Sequence, residues 1–189
     1  TLREEFHIPT EVPVIGIIGR LATIKNHKLF LKIAHLVVEQ NSDVHFLIVG
    51  DGELREELEQ AVDHFRIHFA GFRTDLPMVY TSLDAVMLTS INEGTPVALI
   101  EAMACGKVVF STKVGGVEDF VTHGINGFYF DPADVDGYAK QILHWLANPG
   151  EYEEISENAR KTALKEFSIS TLLANMESLL ANAKRKRIK

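Results

Sequence analysis

The chain has 189 residues, with 19 Lys plus Arg against 26 Asp plus Glu, a formal charge of −7 that argues against a generic nucleic-acid binder. Its 46% hydrophobic and 24% charged content excludes a disordered or membrane-embedded chain and suits one domain with a real core. The lone Cys105 leaves no disulfide framework, no apolar run reaches the ~20 residues of a membrane span, and the start Thr-Leu-Arg-Glu-Glu is not a secretory signal, so a cytoplasmic setting is expected.

In chain order, Val12–Gly19 is a continuous apolar run that suits a strand buried on both faces of a parallel sheet. From Asn26 to Gln40 the apolar residues recur at three- and four-residue spacing, an amphipathic helix. Val44–Val49 is the next strand, closed by Gly50-Asp51-Gly52, and Glu53–Asp63 reads as the following helix. Strands are expected at Ile67–Ala70 and Ala85–Thr89. A helix follows to Ala104, with Thr95 as its cap, Pro96 at its first position and Gly106 closing it. Then come a strand at Val108–Ser111, a helix at Val117–His123, a short strand at Phe128–Phe130, and an amphipathic helix over Val135–Ala147 capped by Asp134. Two helices, Tyr152–Glu166 and Ile169–Ala183, complete the pattern. Lys184, Arg185, Lys186, Arg187 and Lys189 form a basic tail, read as a solvated terminus. This alternation predicts an α/β doubly wound parallel sheet with helices on both faces, binding ligands at the carboxyl ends of its strands.

Two segments carry candidate chemistry. Gly19-Arg20-Leu21-Ala22-Thr23-Ile24-Lys25 lies between the first strand and the first helix and places two cations at a strand's carboxyl end. Arg bridges phosphate oxygens bidentately, Lys adds a point charge and a helix start offers free amides, so the segment suits a diphosphate; ordinary solvated loop charges are the alternative. Asn92-Glu93-Gly94-Thr95-Pro96 continues through Val97 to Glu101, pairing two carboxylates eight positions apart, one in a loop and one in a helix. Glu101 sits in a mostly apolar segment and needs a donor, which a sugar hydroxyl could supply, while Glu93 precedes a helix N-terminus that favours anions. The alternative is a pair of surface charges. Val114-Gly115-Gly116-Val117 allows close backbone approach to a ligand or forms a tight turn, and Gly50-Asp51-Gly52 is a weak dinucleotide signal because Arg55 occupies the third glycine position. His64 and His68 have the spacing of a zinc pair but no third ligand, Asp134 is a helix cap rather than one of a metal pair with Asp136, and Cys105 has no partner or base, so no metal or nucleophile is expected.

Together, Gly19-Arg20-Leu21 with Lys25, Val49–Gly52, Phe69–Phe72, the Glu93 to Glu101 pair, Ala102–Gly106, Gly115-Gly116 and Asn126-Gly127 resemble the C-terminal, donor-binding half of a family 4 (group 1) glycosyltransferase of the GT-B fold. The resemblance covers nearly the whole chain. It implies a Rossmann-like domain over residues 12–167, entered by a segment over 1–11 and followed by a C-terminal helix at 168–183 and the tail at 184–189. It implies that Arg20 and Lys25, with the backbone of Gly19, Gly94, Thr95 and Val97, hold the diphosphate of a UDP- or GDP-linked sugar. By the same resemblance Glu93, Gly94 and Thr95 hold the sugar, Glu101 the ribose, and Phe72 and Arg73 the base, with Glu93, Arg20 and Lys25 as the catalytic set. Such enzymes transfer with retention of anomeric configuration, without metal or other cofactor. They use an N-terminal acceptor-binding domain of the same polypeptide, a glycan, lipid or other hydroxyl acceptor and no nucleic acid, with peripheral membrane association open to the full-length protein. A non-catalytic nucleotide-sugar-binding module, or an epimerase or phosphorylase of similar architecture, are the competing readings.

Overall fold

In a computed structural model, residues 1–62 and 64–187 are described, with side chains described as far as Leu180 apart from that of Asp63. Six strands, β1 (Val14–Ile18), β2 (His45–Val49), β3 (Ile67–Gly71), β4 (Ala85–Leu88), β5 (Val108–Thr112) and β6 (Phe128–Phe130), form one sheet in the order β3-β2-β1-β4-β5-β6. Every strand pairing among the described residues is parallel, with Val14 opposite His45 and Ile15 opposite Ala85 on the two sides of β1. Chain order runs outward from β1 in one direction and, after β3, restarts from β4 in the other. The gap between the carboxyl ends of β1 and β4 is therefore the switch point of the sheet.

The strands are apolar on both faces because both faces are covered. Ile15, Ile17, Phe46 and Ile48 point into a core shared with α2 (His27–Gln40), α3 (Arg55–Gln60) and α6 (Val135–Ala147). Val14, Leu47, Val49, Val86, Leu88 and Val109 point into a second core shared with α1 (Leu2–Glu5), α4 (Leu76–Ser82), α5 (Val97–Ala104) and α7 (Glu153–Glu166). A helix α8 (Ile169–Arg187) completes the described chain. Residues 188–189 and the side chains of the basic tail lie outside the described residues.

Several sequence-based expectations are corrected. Helix α5 starts at Val97, Pro96 is its extended cap residue, and no side chain caps it, so Thr95 does not serve as cap. The helix expected at Val117–His123 is a short 3-10 turn over Gly115–Asp119. There Gly115 takes a left-handed φ of 48°, and the Asn126 side chain accepts from the amide of Thr122, which turns the chain away from a helical course. Helix α3 is confined to Arg55–Gln60, with Asp63, the expected end, outside the described residues. The predicted Asp134 cap of α6 is present, accepting from the amide of Gly137 at 3.0 Å. Helices α1 and α4 were not anticipated beyond the incoming segment. Four and seven residues are too few to show a 3.6-residue period, although Asp75 before a Pro in the first turn of α4 is a helix-start signature.

Candidate functional site

The loops after β3, β2, β1, β4 and β5 lie side by side along the carboxyl edge of the sheet. Backbone hydrogen bonds lock the first three together: Gly19 N–H donates to Val49 O at 2.9 Å, Leu21 N–H to Asp51 O at 3.0 Å, and Gly50 N–H to Gly71 O at 2.8 Å. A Cβ on Gly50 would collide with the carbonyl oxygen of Gly19, so the weak glycine signal after β2 serves strand-end packing. Across the switch point, Ile91 N–H donates to Ile24 O at 2.8 Å, and the Thr89 hydroxyl donates to the carbonyls of Lys25 and Asn26, each at 3.1 Å. On the far side the Glu93-Gly94 backbone rests on Gly115 and Gly116. Gly116 N–H donates to Glu93 O at 3.3 Å, and a Cβ on Gly115 would occupy the space of that same oxygen.

This framework brings Lys25 and Glu93 into contact although 68 positions separate them. Lys25 Nζ donates to Glu93 Oε1 at 2.6 Å, and the Ser90 hydroxyl donates to the same oxygen at 2.5 Å. The side chains of Lys25 and Glu93 are 26% and 11% exposed, so solvent screens the pair less than it would a fully exposed one. Glu93 Oε2 has no protein hydrogen bond among the described residues. Gly94 and Thr95 are exposed, and the amides of Gly94, Thr95, Val97 and Ala98 donate to nothing among the described residues, as expected where a helix leaves its first N–H groups free.

On the other side of β1 a cleft of about 440 Å³ is lined by Ile18, Gly19, Arg20, Val49, Gly50, Asp51, Phe72, Arg73 and Leu76. Phe72 is 73% exposed, a large aromatic face left uncovered at the cleft edge. Arg20 is exposed and pairs with Glu53 at 3.1 Å. Arg73 lines the cleft, but its guanidinium donates to both oxygens of Asp75, at 2.9 and 2.8 Å, and to Glu5 at 3.0 Å. These bonds and charges hold its pKa above the ordinary arginine value, so Arg73 ties the turn after β3 to α1.

Glu101, in the second turn of α5, accepts a 2.7 Å hydrogen bond on Oε2 from the hydroxyl of Tyr80, which also reaches Ala98 O at 3.2 Å. The two glutamates singled out in the sequence thus have separate partners. Ser90 and Tyr80 were missed: Ser90 follows a strand's carboxyl end three residues before Glu93, a position that could have flagged it, whereas Tyr80 sits 21 residues from Glu101 in a helix without periodic signal. His64 and His68 do not converge. His68 bonds His45 at 2.8 Å, His64 accepts from the amide of Arg66, and no group of metal-ligating side chains occurs among the described residues. Cys105 is the exposed cap residue at the end of α5.

The arrangement offers a cation, Lys25, free amides and a carboxylate oxygen at the switch point, with a second cation, Arg20, in the aromatic-edged cleft beside them. Comparisons with known proteins bear on the fold and the family. The chain is 27% identical to the lipopolysaccharide core biosynthesis glycosyltransferase LpsE of Rhizobium meliloti over 185 residues, 95% of this chain and 53% of that one. The structure of Anabaena Alr3699/HepE in complex with UDP superposes with a TM-score of 0.86 at 27% identity, covering 96% of this chain and 51% of that one. The C-terminal domain of the group 1 glycosyl transferase LpcC from Francisella tularensis superposes with a TM-score of 0.78 at 25% identity, covering 88% of this chain and 91% of that one. The chain therefore spans about half the length of the curated relative and of the Anabaena protein, and has the Rossmann-like fold of GT-B glycosyltransferases. A family model described as "Glycosyl transferases group 1" matches residues 1–162, and the chain belongs to that family.

Proposed function

We propose that the chain is the donor-binding part of a glycosyltransferase that moves a sugar from a nucleoside diphosphate onto an acceptor hydroxyl, with retention of configuration and without a bound metal. The observation that carries this reading is the Lys25–Glu93 contact beside the unpaired amides of Gly94, Thr95 and Val97 at the sheet's switch point. Lys25, Arg20 and those amides supply positive charge where a leaving diphosphate would develop negative charge, the role a divalent ion fills elsewhere. Glu93 Oε2 accepts a hydroxyl of the transferred sugar while Oε1 stays on Lys25 and Ser90. Glu101 accepts the ribose hydroxyls and Phe72 offers its face to the base. In the transfer step the bond from sugar C1 to the diphosphate oxygen breaks and the acceptor oxygen bonds to C1 on the same face. The acceptor proton passes to the departing phosphate oxygen, so no protein nucleophile is used.

UDP is the first candidate nucleotide because the Anabaena relative is described in complex with it; a GDP-linked donor is the second. The acceptor, a glycan, lipid or other hydroxyl compound, belongs to an N-terminal domain of the same polypeptide, in a cytoplasmic protein that attaches peripherally to membrane where its acceptor is lipid-linked. No helix among the described residues is long and apolar enough to cross a membrane. Incubating the purified chain with UDP- and GDP-sugars and assaying sugar transfer tests the division of labour. Binding without measurable turnover is expected, and turnover by this chain alone at the rate of a two-domain relative would refute it.

A further inference from the structure

We propose that Tyr80 is a positioning residue for the ribose subsite: its hydroxyl holds one oxygen of Glu101 and so fixes the other for the vicinal hydroxyls of the nucleotide. The inference rests on the reading of Glu101 given above and adds a residue to it. Tyr80 lies in α4, is only 2% exposed, and its ring belongs to the core beneath α4 and α5. Both acceptors within reach of its hydroxyl, Glu101 Oε2 at 2.7 Å and Ala98 O at 3.2 Å, belong to α5. A phenol has one proton, and the shorter contact is the one to the carboxylate, where a charge-assisted bond is strongest. Burial first, and then the bond to Glu101 and its charge, push the phenol above its ordinary range, so Tyr80 stays a donor. Glu101 Oε1 carries no hydrogen bond among the described residues.

The consequence for binding is a saving in order. A glutamate on a partly exposed helix face samples several rotamers, and a ligand that needs one of them must bear the ordering cost. Tyr80 fixes the rotamer before the ligand arrives. The same segment sets the cleft edge, since Phe72, Arg73 and Leu76 line the cleft and Tyr80 follows one turn after Leu76. Base side and ribose carboxylate are thereby registered through one short element.

Calorimetric titration of the chain and of Tyr80→Phe with UDP and with 2′,3′-dideoxy-UDP tests the proposal. Tyr80→Phe should weaken UDP about 3- to 10-fold, less than the loss of a direct hydrogen bond to a charged group because Tyr80 acts through Glu101, and leave the dideoxy analogue unchanged. Equal weakening of both nucleotides would mark Tyr80 as a structural residue only, and weakening of neither would show that the bond does nothing for binding; either overturns the proposal. If the unsubstituted chain does not prefer UDP over the dideoxy analogue, Glu101 does not hold ribose and the underlying reading falls with the proposal, a failure visible without any variant. Should Tyr80→Phe fail to fold, 3-fluorotyrosine at position 80 keeps the ring and makes the hydroxyl a stronger donor. It should hold or raise the UDP preference, and a lowered preference overturns the proposal.

Discussion

His27 opens α2 with its ring 1% exposed and neither nitrogen hydrogen-bonded among the described residues, two positions after the Lys25 that reaches Glu93. Burial, and secondarily the charge of Lys25, hold its pKa at about 4, so the folded chain keeps it neutral. Burial and the charges of His68, Arg66, Arg3 and His64 likewise put His45 at about 4, and burial lowers His68. The unfolded chain takes up protons near pH 6.5 that the folded chain refuses until about pH 4. Stability is therefore full at neutral pH and falls as pH drops through that window. An orphaned imidazole also costs about 1–3 kcal/mol in a core. His27→Leu, close in volume, should leave the stability at pH 7 unchanged or raise it by about 1 kcal/mol, and should make the loss between pH 6.5 and 4 shallower, with the His45–His68 pair supplying what remains. Urea unfolding at pH 7 and pH 4.5 checks both, and an unaltered loss between the two would contradict the assignment to His27.

Among the elements, the Gly115-Gly116 turn fixes where Glu93 stands. With φ of 48° and no room for a Cβ beside the Glu93 carbonyl, Gly115→Ala combines left-handed strain with overpacking against backbone. A loss of about 2–4 kcal/mol is expected, together with loss of nucleotide binding; thermal unfolding and titration of the variant check it, and a variant with native stability would show that the turn can shift freely. The sequence disclosed this framework unevenly. Long periodic segments such as α2 and α6, and apolar runs such as β1 and β2, were readable because both their period and their composition repeat over many residues. The Gly-Gly pair was noticed, but its use was not, since the atoms it accommodates belong to a loop 22 positions earlier. The expected helix after it failed where Gly115 takes a left-handed φ and the Asn126 side chain accepts from the amide of Thr122, local devices that helical propensity does not reveal. Arg73 shows the limit for single side chains: its place beside Phe72 at the cleft was legible, whereas its bonds to Asp75 and Glu5 depend on α1 folding against the turn after β3.

At the scale of the molecule, the strand order does what no residue could do alone. It sets β1 beside β4, so that a loop near residue 20 and a loop near residue 93 face each other, and it leaves the cleft of β1, β2 and β3 next to them. Sequence spacing anticipated both loops and the doubly wound sheet. The ion pair that joins them emerges only from the crossover. Helix α8 extends beyond this body with Ile169, Leu172, Leu173, Met176, Leu179 and Leu180 all more than half exposed, an apolar stripe at helical spacing that the described residues do not cover. None of these residues belongs to the switch-point site, so the donor-site reading stands on the sheet edge alone. The measurement that tests it most directly is calorimetric titration of the chain with UDP, GDP and ADP, repeated with Arg20→Ala. One nucleotide series should bind and lose at least about tenfold in affinity in the variant, as expected for loss of a charged phosphate contact. No binding by any of the three, or an affinity that Arg20→Ala leaves unchanged, would contradict the assignment of this edge as the nucleotide-sugar site.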